Sequence, residues 1–281
     1  MIRLSSSGII WCLAILSAFV IASLAGVVEP AGLVFGIILL CAICELVDSS
    51  LGMGYGTTLT PILLLLGFDP LQLIPTILVS ELLSGFSAAF FHAEVGNMDL
   101  KRGSPHLRSA TILSVCSLVG AYAGVELAVG ISRRALAMAI SIVILSAGLY
   151  ILSSPRATSP YRTWKIVVLG VVASFNKSLS GGGYGPLMTS GQVMSGLEGR
   201  AAVGITSLAE AFTCLVAASL FLLRGNALDF GLLVPVLTGA LLAVPFSAQI
   251  VRHIPERAFK NVIGVLTIAL GLFSLVKALV R

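Results

Sequence analysis

The sequence predicts an all-α polytopic membrane protein: two inverted repeats of about five hydrophobic segments with broken or re-entrant glycine-loop helices, preceded by one N-terminal helix. Three observations predict it. Of 281 residues, 57% are hydrophobic and 10% are charged, whereas soluble domains run at about a quarter charged. Eleven apolar stretches cover most of the chain, whose mean hydropathy is +1.06. The second half of the chain also repeats the first. So few charges cannot wet the surface of a soluble enzyme, and the composition fits neither a disordered nor a fibrous protein.

The first apolar run, roughly 8–28, follows Arg3 and fits a signal peptide or a retained helix. Its length favours the retained helix, because a span needs about 20 residues. Further runs cover roughly 31–47, 54–67, 72–92, 106–130, 133–153, 163–175, 184–195, 201–224, 227–251 and 257–280. The runs 31–47, 54–67, 163–175 and 184–195 are short. The last two reach only about 18–20 Å against a hydrocarbon core of about 30 Å. Between the members of each short pair lies the most polar, glycine-rich sequence of the chain.

A shift of 129 positions carries Gly52-Met53-Gly54-Tyr55-Gly56 onto Gly181-Gly182-Gly183-Tyr184-Gly185. Without a gap it also carries Glu81 onto Glu210 and Gly96-Asn97 onto Gly225-Asn226. The expected organisation is an N-terminal helix (1–29) and two repeats (30–155 and 156–281) in one integrated transmembrane domain. Lys101, Arg102, Arg108, Arg156, Arg162, Lys165, Arg252, Arg257 and Lys260 then share the cytoplasmic side with Arg3, as the positive-inside rule requires. Arg133 and Arg134 are the exception, falling outside. With five segments per repeat, the repeats enter the membrane from opposite sides. One broken span per short pair would make them parallel instead.

Short glycine-interrupted segments at equivalent places in two repeats point to a transport site near the bilayer midplane. Irregular backbone is tolerated at that depth only where it lines a cavity or is buried in protein. Helices starting at Tyr55 and Tyr184 would aim free N–H groups and positive dipole ends at an anion. The expected substrate-binding residues are Ser49, Gly52, Gly54, Tyr55, Gly56, Thr57, Asn176, Lys177, Ser178, Gly181, Gly182, Gly183 and Tyr184. Lys177 should meet an anionic ligand, pair with Asp48, or snorkel to the surface. Asp48, Glu81 and Glu210 are candidates for proton coupling or for holding the glycine loops, with Glu45 a weaker one.

Other signals carry less. The Gly-Tyr-Gly copies lack the Thr-Val that precedes a potassium filter, which argues against a channel. Cys41-x-x-Cys44 has no partner ligands, and His92, His106 and His253 have no metal or catalytic spacing, so no metal, cofactor or enzymatic activity is expected. The five cysteines all fall in apolar runs and read as small buried residues. Gly32-x-x-x-Gly36 and Gly120-x-x-x-Gly124 permit close helix contact, inside the bundle or at a homodimer seam. The expected partners are a small anion and membrane lipid, with protons as the candidate coupling ion, not nucleic acid.

The stretch from Glu45 to Pro61, its copy from Asn176 to Pro186, and the glutamate-bearing segments with the Gly-Asn after each resemble the sulfite exporter TauE/SafE family of membrane permeases. The resemblance covers roughly residues 30–280. It implies a multi-pass bacterial inner-membrane secondary transporter, an exporter of small organosulfur or sulfur oxyanions such as sulfite or sulfonates. A permease for small carboxylates is the alternative. Met53 stands where the second copy has Gly182, so the two half-sites are unequal.

Overall fold

The structure is a computed structural model that describes residues 6–24, 26, 32–153, 163–194, 197–251 and 256–280. Within them the chain forms α1 (Ser6–Leu24), α2 (Gly32–Leu51), α3 (Tyr55–Leu66), α4 (Pro70–Glu94), α5 (Pro105–Gly130), α6 (Arg133–Ser153), α7 (Thr163–Ser180), α8 (Tyr184–Met194), α9 (Gly199–Leu223), α10 (Phe230–Ile250) and α11 (Glu256–Val280). No strand occurs among the described residues. Among the described residues, six of the helices (α2, α4, α5, α6, α9 and α10) are long and apolar enough to cross a membrane. The predicted repeat boundaries after residues 29 and 155 lie outside the described residues, as do Arg3, Arg156, Arg162 and Arg252.

Every predicted apolar run becomes a helix, but the polar residues expected in loops are helical. α2 continues through Asp48, Ser49 and Ser50, and α7 through Asn176, Lys177 and Ser178. The helical ladder holds there because the Gly52 N–H donates to the Asp48 carbonyl at 2.5 Å and the Gly181 N–H to the Lys177 carbonyl at 2.7 Å. Of the four segments expected to be short, α2 has 20 residues and qualifies as a span. The clearly short helices are α3, with 12 residues, and α8, with 11. At about 1.5 Å per residue they reach little more than half the hydrocarbon core.

Local chemistry explains the other ends. Asp69, Ser104 and Asp229 accept hydrogen bonds from Leu71, Leu107 and Leu232 as N-caps of α4, α5 and α10, and proline follows the first two directly. Gly67 ends α3 in the left-handed conformation, with φ 102°.

The packing repeats as the sequence does. α5 lies on α7 as α10 lies on α2, and α5 meets α9 as α10 meets α4. The equivalent helices α4 and α9 pair with each other, as do α6 and α11. Gly120 and Gly124 press α5 onto α7 inside the bundle: a Cβ on Gly120 would stand 2.3 Å from the Val171 carbonyl oxygen.

Polar contacts group the helix ends. Arg133 pairs with Asp69 at 3.1 Å, Arg224 pairs with Glu126, and Lys277 donates to the Leu65 carbonyl at 2.6 Å. The ends of α3, α5, α9 and α11 therefore share one side with the starts of α4 and α6. On the opposite side Ser7 donates to Glu94, and Asn97 to the Ala248 carbonyl. Arg133 and Arg134, the exceptions to the charge rule, act locally: one pairs with Asp69, the other donates to the last carbonyls of α11.

Where the two halves cross, the glycine loops meet backbone to backbone. Gly52, Gly54, Gly181 and Gly183 have φ of 68°, 135°, 72° and 80°, a region that favours glycine. A Cβ on Gly56 would stand 1.8 Å from the Gly181 carbonyl oxygen, and one on Gly185 would stand 2.2 Å from that of Gly52. Each short helix thus begins against a carbonyl of the other loop. Gly182 is held by the same contact, whereas Met53 points away and packs with Leu51 and Ile151. Gly56→Ala should lower the melting temperature in detergent far more than Gly96→Ala. At Gly96 a Cβ meets nothing, and only its φ of 80° is costly, by about 1–2 kcal/mol. Equal losses would contradict the backbone crossing.

Candidate functional site

Lys177 is the cation at the centre of the crossing. It sits in the last turn of α7 with 1% of its surface exposed. Its Nζ forms ion pairs with Glu81 of α4 and, at 2.7 Å, with Glu210 of α9. The two acids are themselves related by the 129 shift, so one lysine is held symmetrically by both repeats. Burial excludes snorkelling. The alternative pairing with Asp48 is replaced by these two contacts, because α4 and α9 present their acids directly to the end of α7.

Asp48 does other work. Its Oδ1 accepts the Tyr55 N–H at 3.2 Å, holding the first turn of α3. Of the three acids considered for holding the glycine loops, Asp48 makes that contact in the first repeat. Glu45, one turn earlier on α2, accepts hydrogen bonds from the Ser49 hydroxyl and, at 3.1 Å, from Ser84. His92, buried at the end of α4, has Nε2 2.8 Å from the Ser49 carbonyl and Nδ1 3.0 Å from Asn97 Nδ2. Asn97 can only donate there, so His92 carries its proton on Nε2 and donates it to Ser49.

Glu45, Asp48, Glu81 and Glu210 line one small cavity with Ser49 and Ser84, of about 10 Å³. That is room for about one water at most. Two of these four carboxylates, Glu81 and Glu210, pair with the Lys177 ammonium, and all four share a space almost without solvent. Fully ionised they would leave three uncompensated negative charges, which a low-dielectric interior opposes by several kcal/mol each.

The predicted site residues separate into groups. Lys177 meets Glu81 and Glu210; Asp48 and Ser49 lie beside them. Gly52, Gly54, Gly56, Gly181, Gly182 and Gly183 form the crossing. The Asn176 side chain lies against Gly183, 3.5 Å from where a Cβ would stand. Tyr55 and Tyr184 are fully buried, and the Tyr55 hydroxyl lies 2.9 Å from that of Ser80. The hydroxyls of Thr57, Ser178 and Thr60 are buried without a hydrogen-bond partner. Thr60 Oγ1 faces Gly181, and its counterpart Thr189 donates to the Gly52 carbonyl at 2.9 Å. The signal for this threonine pair was present, since the 129 shift superposes the two. The same shift superposes Ser84 on Thr213, whereas His92 gave no such signal: a lone histidine at a helix end suggests no partner.

Lys177→Met should lower the melting temperature sharply, because it strands two buried carboxylates, at a cost of about 3–5 kcal/mol. The triple variant Lys177→Met/Glu81→Gln/Glu210→Gln should recover most of that loss. A triple variant as unstable as the single would contradict the ion-pair geometry.

The family model for the sulfite exporter TauE/SafE matches residues 37–274. The chain is also 25% identical, over 232 residues, to the probable membrane transporter protein YtnM of Bacillus subtilis (strain 168), covering 78% of this chain and 75% of that relative. No solved structure matches it. With its multi-pass helical architecture and its duplicated glycine crossing enclosed by the matched residues, the chain belongs to the TauE/SafE family of membrane transporters.

Proposed function

We propose that this protein is a secondary transporter exporting small organosulfur or sulfur oxyanions, such as sulfite or sulfonates, across the bacterial inner membrane. The observation that carries the reading is the buried Lys177 held between Glu81 and Glu210. A cation at that depth is costly unless it works. Its ammonium attracts an oxyanion, and the buried hydroxyls of Thr57 and Thr60 on α3 and of Ser178, next to Lys177 in sequence, have no partner and are free to donate. Sulfur and the outward direction rest on the family description. A small carboxylate offers the same charge and acceptor oxygens and is the second reading.

The anion reaches Lys177 by displacing a carboxylate. A displaced glutamate loses its counter-charge and takes up a proton, so anion and proton bind together. Two inverted repeats in one integrated domain, 30–155 and 156–281 after the first helix, supply the motion. The grouping of helix ends supports the inversion: the α2–α3 hairpin returns to the side of Asp69 and Arg133, while α8 leads to the start of α9 on the other side. Rocking one hairpin against the other would open the crossing to each side in turn.

A thermal-shift series against sulfite, sulfate, alkylsulfonates, acetate and phosphonates tests the reading. Sulfite or a sulfonate should raise the melting temperature of the wild type and leave the Lys177→Met/Glu81→Gln/Glu210→Gln variant unmoved. Preference for acetate selects the second reading. No response to any anion, or an equal response in the variant, would overturn both.

A further inference from the structure

A second site lies away from the crossing, on the side of the membrane that the charge pattern makes external. A cavity of about 250 Å³ opens between the last turn of α3, the first turn of α6 and the last turn of α11. Its floor is apolar, from Leu64, Phe68, Ala137 and Ala278, and its rim carries Arg133, Arg134 and Lys277. None of these cations is exhausted by its protein partner. Lys277 gives one of three ammonium protons to the Leu65 carbonyl, and Arg134 gives two N–H groups of five to the Ala278 and Leu279 carbonyls. Arg133, with 70% of its side chain exposed, pairs with Asp69. Three positive charges over one negative leave an excess of two at a membrane boundary.

We infer that this cavity binds an anionic phospholipid, with the phosphodiester among Arg133, Arg134 and Lys277 and the glycerol end of the acyl chains on the apolar floor. Charge complementarity selects an anion, and the floor selects one attached to hydrocarbon. Three elements meet here as helix ends at interfacial depth, where headgroups lie. Exposed Leu66, Phe273 and Val276, next in sequence to the lining residues, continue the apolar surface outward for the tails. A zwitterionic lipid brings its own cation to the rim and is disfavoured. Because Lys277 holds the end of α3, a bound lipid would fasten the short helix of the first repeat to α6 and α11.

Native mass spectrometry of the full chain, delipidated in detergent and titrated with phosphatidylglycerol or with phosphatidylcholine of the same tails, tests this. Phosphatidylglycerol should be retained at least about fivefold better, and Arg133→Gln should cut its retention about fivefold, the worth of about one interfacial charge. Arg133→Lys should keep it. Asp69→Asn, which preserves a capping side chain, frees Arg133 and should raise retention. Equal retention of the two lipids, or an Arg133→Gln variant unchanged with Asp69→Asn, would overturn the inference. So would glycerol 3-phosphate binding as tightly as the lipid, since the tails would then contribute nothing.

Discussion

One ammonium group that cannot reach water organises the centre of this membrane protein. Lys177 has 1% of its surface exposed, so its charge must be matched within the protein. The match comes from both halves at once, Glu81 on α4 and Glu210 on α9. To deliver the lysine there, α7 must end at the crossing, and to end there its chain must turn within a few residues. Gly181 and Gly183 provide the turn, and Gly56 and Gly182 provide the backbone contact that closes it. Larger residues at the crossing would push the two hairpins apart and separate the charges.

The duplication is broken where it bears on chemistry. Glu81 and Glu210 are kept in both copies, but Asp48 corresponds to Lys177 and Glu45 to Ser174. The Glu45–Ser84 hydrogen bond of the first half becomes a Ser174–Thr213 hydroxyl contact at 3.4 Å in the second. The first half-site is thus acidic and capped by its own Asp48, while the second carries the cation. A symmetric pair of lysines would leave two charges repelling each other in a dry cavity; a symmetric pair of aspartates would leave no cation at all. The broken symmetry leaves one buried cation among several carboxylates.

Much of this was legible in the sequence. The apolar runs mark all the helices because lipid leaves so little choice, and the 129 shift exposes the equivalent glycines and glutamates. Lys177, Glu81 and Glu210 stood out because charge is expensive at that depth. Their mutual pairing did not, since the shift couples Lys177 with Asp48 and says nothing of distances across the repeats. The helical state of Asp48–Ser50 and Asn176–Ser178 was hidden for a related reason. Polar residues beside glycine read locally as loop, and only packing against α4, α5 and α9 makes it favourable to carry the helix one turn further. Thr60 with Thr189, and Ser84 with Thr213, were recoverable from the shift; His92 needed coordinates.

Proton movement during transport of an alkylsulfonate tests the central claim most directly. An alkylsulfonate stays ionised across the working pH range, so a proton that accompanies it is carried by the protein and not by the substrate. In proteoliposomes, an inward sulfonate gradient should acidify the lumen in proportion to sulfonate uptake, and the Lys177→Met/Glu81→Gln/Glu210→Gln variant should show neither flux. Sulfonate uptake at full rate with no change in luminal pH would contradict the account, because the anion would then reach Lys177 without a displaced glutamate taking up a proton.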